Sequence, residues 1–219
     1  MERNNNNEEI HMKKLYITIL LAAILITGAM ALINSNTEEP TFVVSSASWT
    51  KAVFNNSHLA DRSDSIIIGR VIEILPSRWN TPDGIKPTSD GKMTTSKEEF
   101  YKQRKAKKIY TDVIIKVDRI IKNKSTPAMI TVRTIGGEVG EYGMIVEDEA
   151  KFEAGENVLL FLTKEDTDTD NSAGTHYRVY DMKYGKFSIT NDNQAVRPDL
   201  PEAYKKIPLE ELLNSIGAQ

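Results

Sequence analysis

Residues 109–155 constrain the fold most strongly, because they contain two strand patterns joined by a short polar link. Apolar and polar residues alternate through the second half of residues 109–121, and another strand pattern follows at residues 129–135. Alternation with a period of two, interrupted by a turn signal, indicates an antiparallel hairpin. The next apolar run, residues 157–163, has the length of a strand and no polar break, so it predicts a central strand.

Further short strand patterns lie on both sides of this hairpin. Residues 65–75 are rich in Ile and Val, and Gly69 within them predicts a bulge or a sharp bend. Short helices are expected within residues 49–60 and over residues 208–216. Additional strands are predicted at residues 176–182, 186–190 and 194–196. Six or seven short strands separated by turn signals predict a mainly β fold, a small antiparallel barrel with short flanking helices.

A charge-free run of 19 residues begins at Leu15 and ends at Ile33. At about 1.5 Å per residue, a helix of this length just spans a hydrocarbon core of about 30 Å. Basic residues precede the run and acidic residues follow it, which predicts a cytoplasmic N-terminus and an exported C-terminal part. The run is expected either to stay as a membrane anchor or to be removed as a signal peptide by cleavage near Ala31.

The predicted organisation therefore has four parts. Residues 1–14 form a cytoplasmic segment, residues 15–33 a transmembrane or signal-anchor helix, and residues 34–48 a linker. Residues 49–219 form the extracytoplasmic barrel domain. We expect a single-pass protein of the cell membrane with its C-terminal domain outside, or a secreted protein after cleavage.

Composition excludes several chemistries. The 219-residue chain has no cysteine, so it has no disulfides, thiolate nucleophiles or thiolate metal ligands. Three histidines are too few for a multi-histidine metal site, and no cofactor is expected. The formal net charge is −3, whereas nucleic-acid-binding domains are usually strongly basic. The motifs of serine hydrolases, zinc proteases and nucleotide-binding proteins are missing, so we expect neither a nucleic-acid partner nor enzymatic activity.

A basic segment at residues 97–108 is the first candidate binding surface. It surrounds two aromatic residues, Phe100 and Tyr101, with six basic residues: Lys97, Lys102, Arg104, Lys105, Lys107 and Lys108. Such a patch is typical of a surface that binds an anionic polymer or a lipid surface. The alternative interpretation is a solvated loop or a short helix without a partner.

A glycine-rich acidic segment at residues 136–149 is the second candidate binding surface, and it is expected to be a loop. Its candidate residues are Gly136, Gly137, Glu138, Gly140, Glu141 and Tyr142. The segment lies between two strand patterns and no helix follows it, so a phosphate-binding loop is not indicated. Glycine here allows positive φ angles or a close approach of two backbones.

Two weaker signals stay open. Asp166, Asp168 and Asp170 have the spacing that begins a calcium-binding EF-hand loop, but the glycine and final glutamate of that loop are missing, which favours an acidic loop. Asn55 and Asn123 each begin an Asn-x-Ser sequon, which is glycosylated if the host modifies exported chains.

The chain resembles a broad group of exported prokaryotic domains of unknown function. The resemblance runs through SDSIIIGRVIEI, IYTDVIIKVDRIIK, ITVRTIGGEVGEYGMIVEDEAKFEAGENVLLFL and YRVYDMKYGKFSI, within residues 58–190. More distantly, the order of elements resembles the oligonucleotide/oligosaccharide-binding (OB-like) barrel of netrin-like domains, which include tissue inhibitors of metalloproteinases. Those inhibitors chelate zinc through an N-terminal cysteine, and this chain has no cysteine, so that mechanism does not transfer.

Export combined with the lack of catalytic motifs predicts a binding or interaction module of the cell surface. The membrane is one predicted partner, through residues 15–33, and an envelope protein or glycan is another. An inhibitor of an extracellular protease, acting by edge or loop insertion, is the alternative function. A purely structural component of the cell envelope is a further alternative.

Overall fold

The computed structural model describes residues 41–45, 55–88, 96–164, 175–197, 200 and 202–217. The predicted membrane helix at residues 15–33, with its cleavage position at Ala31, lies outside these residues, as do the acidic residues 166–170. Only the end of the helix predicted within residues 49–60 is described, as α1, which begins at Asn56. Within the described part of the chain, no helix is long and apolar enough to cross a membrane.

The described residues form a mainly β structure, as predicted, with short helices at its borders. The strands are β1 (Thr41–Ser45), β2 (Ser65–Ile74), β3 (Arg78–Trp79), β4 (Ile109–Lys122), β5 (Met129–Ile135), β6 (Gly137–Val139), β7 (Tyr142–Val146), β8 (Asn157–Thr163), β9 (Arg178–Val179), β10 (Lys186–Ile189), β11 (Gln194–Val196) and β12 (Lys206–Pro208). The helices are α1 (Asn56–Arg62), α2 (Lys97–Ala106), α3 (Glu202–Lys205) and α4 (Leu209–Ser215), and a 3-10 turn spans Met182–Gly185.

Nine of these strands form one antiparallel sheet. Its order is β12-β11-β10-β8-β2-β4-β3, with β5 paired to β4 and β9 paired to β8. The predicted hairpin of residues 109–135 is confirmed as the β4–β5 pair. The predicted bulge is confirmed by a register shift between Ile68 and Gly69. A side chain at Gly69 would come within 2.5 Å of the backbone oxygen of Lys116, so this bend requires glycine.

The predicted barrel is wrong in one respect, because the sheet does not close on itself. The sheet curls until β5 approaches β9, but within the described residues only an isolated bridge, between Val132 of β5 and Tyr177 just before β9, joins the two strands. The predicted strand at residues 176–182 is reduced to the two residues of β9, because Asp181 and Met182 have left-handed φ angles of 59° and 55°. A strand that turns away after two residues cannot form the ladder that would close the barrel.

Two hydrophobic clusters meet at β8, which is buried on both faces as a central strand. Val158, Leu160 and Leu162 belong to the cluster enclosed by the curled sheet. Leu159 and Phe161 belong to a second cluster on the opposite face. The helix predicted at residues 208–216 is confirmed as α4, which contributes Leu212 and Leu213 to this second cluster together with side chains of α1 and β10.

A three-stranded sheet in the order β1-β7-β6 corrects two predictions. Residues 41–45 of the predicted linker are strand β1, which pairs in parallel with β7. Residues 137–146 of the predicted loop are the β6–β7 hairpin. The linker prediction failed because the partner strand that orders β1 lies about a hundred positions further along the chain, and such pairing leaves no local pattern.

Candidate functional site

The β6–β7 hairpin carries the residues of the predicted glycine-rich site. Val139 pairs with Tyr142, so Gly140 and Glu141 form a two-residue turn, and Gly140 has the positive φ angle (61°) that such turns require. Glu138 and Glu141 are exposed, which makes the tip of the hairpin acidic.

The first two glycines of this segment serve packing. A side chain at Gly137 would come within 2.0 Å of the Ser77 hydroxyl and 2.6 Å of the Thr111 hydroxyl. A side chain at Gly136 would come within 2.9 Å of the backbone oxygen of Met144. Both glycines also have positive φ angles near 120° (120° and 122°), so they let the hairpin lie close against the main sheet.

Tyr142 joins the hairpin to the segment around β3. Its ring meets Trp79 edge to face, with 5.7 Å between the ring centroids. The ammonium group of Lys86 lies 3.5 Å from the centroid of the same ring, which is a close cation–π contact. Trp79 is buried and Lys86 exposed, so Tyr142 has an apolar neighbour on one side and a solvated cation on the other.

The turn at residues 81–85 holds Lys86 in this position. Asp83 accepts a hydrogen bond from the Ile85 backbone N–H at 3.0 Å, and Arg78 donates to the Asp83 carbonyl at 3.0 Å. The hydrogen bond from Ile85 is the main reason that the pKa of Asp83 lies below its usual value, because it favours the ionised carboxylate.

The predicted basic segment is a helix, α2, rather than a loop. Ser96 caps it by accepting a hydrogen bond from the Glu99 N–H at 3.5 Å, and acidic residues in the first turn and basic residues in the last turn match the helix dipole. None of the ten residues of α2 is buried. Phe100 and Tyr101 are about half exposed (50% and 49%) and contact each other with 5.9 Å between ring centroids.

Asn80 attaches the end of α2 to β3. Its side-chain amide donates to the Lys105 carbonyl at 3.1 Å, and its backbone N–H donates to the Lys108 carbonyl at 2.9 Å. Because Asn80 follows Trp79 directly, the short strand β3 brings the two predicted binding segments next to each other. Lys105 and Lys108 are half-buried at this junction.

Four further cations lie on α2 or directly after it. Lys97, Lys102, Arg104 and Lys107 are exposed, and no hydrogen bond or ion pair joins any of them to the hairpin in the described part of the chain. We call the surface formed by these four cations with Phe100 and Tyr101 the basic surface. It combines exposed positive charge with an exposed aromatic pair, which is the composition of a surface that binds anions.

Sequence reasoning missed Trp79, Asn80 and Lys86, which connect the two segments. They lie in residues 77–108, a stretch with turn signals but no strand pattern, because β3 has only two residues. A tryptophan just before a Pro-Asp-Gly turn was the one available signal of an anchored turn.

The structure also bears on the possible metal ligands and on the two sequon asparagines. Among the described residues, no group of three His, Asp or Glu side chains could hold a metal ion. Both sequon asparagines are described, and each is engaged locally. Asn55 caps α1 by accepting from the Ser57 and His58 N–H groups, and the Asn123 side chain accepts from the Ser125 N–H at 3.3 Å.

The comparisons with known proteins give no family. The sequence matches no family model, and no curated protein matches it.

Proposed function

We propose that this protein is a membrane-anchored or secreted extracytoplasmic binding module without enzymatic activity, and that the basic surface binds an anionic glycan of the cell envelope. The observation that carries this proposal is the exposure of α2: a ten-residue helix that buries none of its residues and, with Lys107 directly after it, presents four cations and two aromatic rings. The membrane-spanning role of residues 15–33 and the relationship to exported netrin-like or OB-like domains are parts of the same proposal.

Helix energetics support a partner for α2. Isolated helices shorter than about 12–15 residues are marginal in water, and most helices in proteins gain their stability from packing one face. α2 is fixed at its end by Asn80 but packs no buried face of its own. A surface helix of this kind gains stability when a partner covers it, as expected for a recognition element.

Charge and aromatic content define the ligand. The basic surface concentrates positive charge on a chain whose formal net charge is −3, so the attraction is local to α2. Lys and Arg bind carboxylate, sulfate or phosphate groups of a polymer, and flat aromatic rings pack against the apolar faces of sugar rings. The adjacent hairpin tip carries Glu138 and Glu141, which repel an anionic ligand, so the contact is assigned to α2 alone.

Charge reversal on α2 tests the proposal. The variant Lys102→Glu/Arg104→Glu/Lys107→Glu changes only exposed side chains. The matched control, Lys116→Glu/Arg119→Glu/Lys124→Glu, makes the same charge change at exposed positions away from α2.

We expect the α2 variant to bind isolated envelope glycan at least about tenfold more weakly than wild type, and wild-type binding to weaken as salt is added. The control should stay within about twofold of wild type, since its charges lie outside the basic surface. Equal loss in both variants would mean that net charge, and not α2, governs association. Binding only to anionic lipid vesicles would identify the membrane surface as the ligand.

A second candidate function rests on β1. Its residues Phe42, Val43 and Val44 are exposed by 42%, 56% and 60%, and among the described strands only β7 pairs with β1. An extended apolar strand with an unpaired edge is the form in which peptides enter protease clefts by strand addition. Inhibition of a panel of extracellular proteases by the full chain, lost in Val43→Lys, would establish this function.

A further inference from the structure

A cavity of about 380 Å³ lies between the 3-10 turn, β10 and the segment after β11, away from α2. Four cations and two carboxylates line it: Lys151, Lys183, Lys186, Arg197, Glu153 and Glu156. Ala150 and Leu200 add apolar surface. Its volume is within the range of about 300–1,000 Å³ that is typical of small-molecule sites.

Arg197 is the unusual charge of this cavity. It is 4% exposed and stacks over the Phe187 ring at 3.8 Å, and its Nη2 donates to the Asn56 side-chain oxygen at 2.9 Å. Its Nε has no hydrogen-bond partner, and among the described residues no carboxylate lies within ion-pair distance of it. Burial lowers the pKa of Arg197 to about 10, since the attraction of Asp181 offsets only part of the cost of desolvation.

The two lysines on the cavity wall differ from Arg197, because each already has a carboxylate. Lys183 pairs with Asp148 at 2.8 Å, and Lys186 pairs with Glu156 at 2.6 Å. A buried charge is normally paired, because an unpaired one loses its hydration without compensation. The cavity therefore has one buried cation that forms no ion pair with a carboxylate of the described residues, although Asp181 attracts it from further away.

The backbone beside the cavity is strained. Asp181 and Met182 are consecutive non-glycine residues in the left-handed region, with φ angles of 59° and 55°. Such conformations are uncommon for residues other than glycine and persist at sites where the surroundings enforce them. Here they end β9 and begin the 3-10 turn that places Lys183 at the cavity wall.

We propose that this cavity is a binding site for a small molecule that carries an oxyanion, a phosphate or carboxylate group, with Arg197 as its main counter-charge. Lys183 and Lys186 border the anion, Lys151 covers it from the exposed rim, and Ala150 and Leu200 contact the uncharged part of the ligand. The site is separate from the basic surface, since no residue of α2 lines the cavity. One domain thus has a surface for a polymer and a cavity for a small anion.

Calorimetric titration of the full chain in detergent, at constant ionic strength and near neutral pH, tests the site. The probes are inorganic phosphate and acetate, which distinguish a phosphate ligand from a carboxylate ligand. We expect saturable binding of one of them. Arg197→Met should weaken it by about tenfold or more, because hydrogen bonds to charged groups are the strong ones.

Two variants at exposed positions test the site even if Arg197→Met does not fold. Lys151 lines the cavity rim and Lys124 does not, and both are exposed. Lys151→Met should weaken anion binding severalfold, whereas Lys124→Met should leave it unchanged. No saturable heat with either anion, or equal affinities in Lys151→Met and Lys124→Met, would overturn the site without affecting the charge-reversal test of α2.

Discussion

At the scale of single residues, the pair Asp112–Arg133 shows how this fold uses a buried charge that is fully matched. The two residues are cross-strand neighbours on β4 and β5, and two hydrogen bonds of 2.7 and 2.8 Å join them side by side. Arg133 is completely buried and also lies 3.8 Å over the Tyr110 ring. This environment contrasts with that of Arg197, which has the ring contact but no ion pair with a carboxylate of the described residues.

Removing one partner of this pair should lower the free energy of unfolding more than removing both partners. Asp112→Ala leaves the Arg133 guanidinium buried without its counter-charge, so we expect a loss of about 3 kcal/mol or more in the free energy of unfolding. Asp112→Ala/Arg133→Met removes both charges and should recover most of that loss. Urea unfolding of both variants measures the difference. A double variant that is less stable than Asp112→Ala would show that the ion pair stabilises the fold by more than the cost of removing its two charges from water.

Two aspartates should have opposite effects on the pH dependence of stability. Burial raises the pKa of Asp181, so its neutral form stabilises the fold at low pH, and this contribution is lost as the pH rises through the raised pKa. Asp181→Asn should therefore be more stable than wild type at neutral pH, with a difference that shrinks as the pH falls through the raised pKa and is gone below the usual value of 3.8.

Asp83 should change the pH dependence of stability in the opposite direction. Its lowered pKa means that the ionised form stabilises the 81–85 turn above the usual value, and that this contribution is lost as the pH falls. Asp83→Asn should therefore be less stable than wild type at neutral pH and equal to it in acid. Urea midpoints measured across the acid range test both variants, and the same sign for both would contradict the assignment.

At the scale of elements, strand β1 pairs with β7 over five residues and makes one especially close contact with it. Phe42 lies opposite Gly143 of β7, where a side chain would come within 2.3 Å of the Phe42 ring. Gly143→Val should therefore release β1, and Phe42→Ala/Gly143→Val should restore the pairing. Hydrogen exchange of the backbone amides of residues 42–45 measures this. Unchanged protection in Gly143→Val would show that β1 is held by other contacts.

Local pattern explains which elements the sequence could reveal. β2, β4, β5, β8 and α4 were predictable because their burial follows their own periodicity, with β8 buried on both faces. The β6–β7 hairpin was hidden, since its glycines are typical of loops and Gly143 is the one buried residue of its two strands. The two-residue strand β3 is too short for any period to be visible, and β9 is much shorter than the strand pattern of residues 176–182 predicts.

The candidate sites were predictable in part for the same reason. The cations of the basic surface lie within eleven consecutive residues, 97–107, so the basic surface was visible as a charge run. The cavity beside Arg197 gathers residues from four separate segments, and a single arginine after a short strand looks like any solvated arginine. Its burial depends on Phe187 and Asn56, which only the tertiary structure brings to it.

At the scale of the whole molecule, the domain combines a rigid curled sheet with recognition elements at its surface. The sheet contains both hydrophobic clusters, whereas α2 lies outside them. A rigid scaffold that presents an unpacked basic helix is the arrangement expected of a binding module. The proposed envelope partner therefore has to contact α2 itself.

Site-specific photo-crosslinking on intact cells tests this claim most directly. A photoreactive phenylalanine analogue replaces Tyr101 on α2 in one full-length protein and Met129 on β5 in the other; both native side chains are about half exposed (49% and 50%). We expect an envelope glycan adduct from position 101 and none from position 129. Equal adducts from both positions, or adducts only between copies of this chain, would contradict a binding surface on α2.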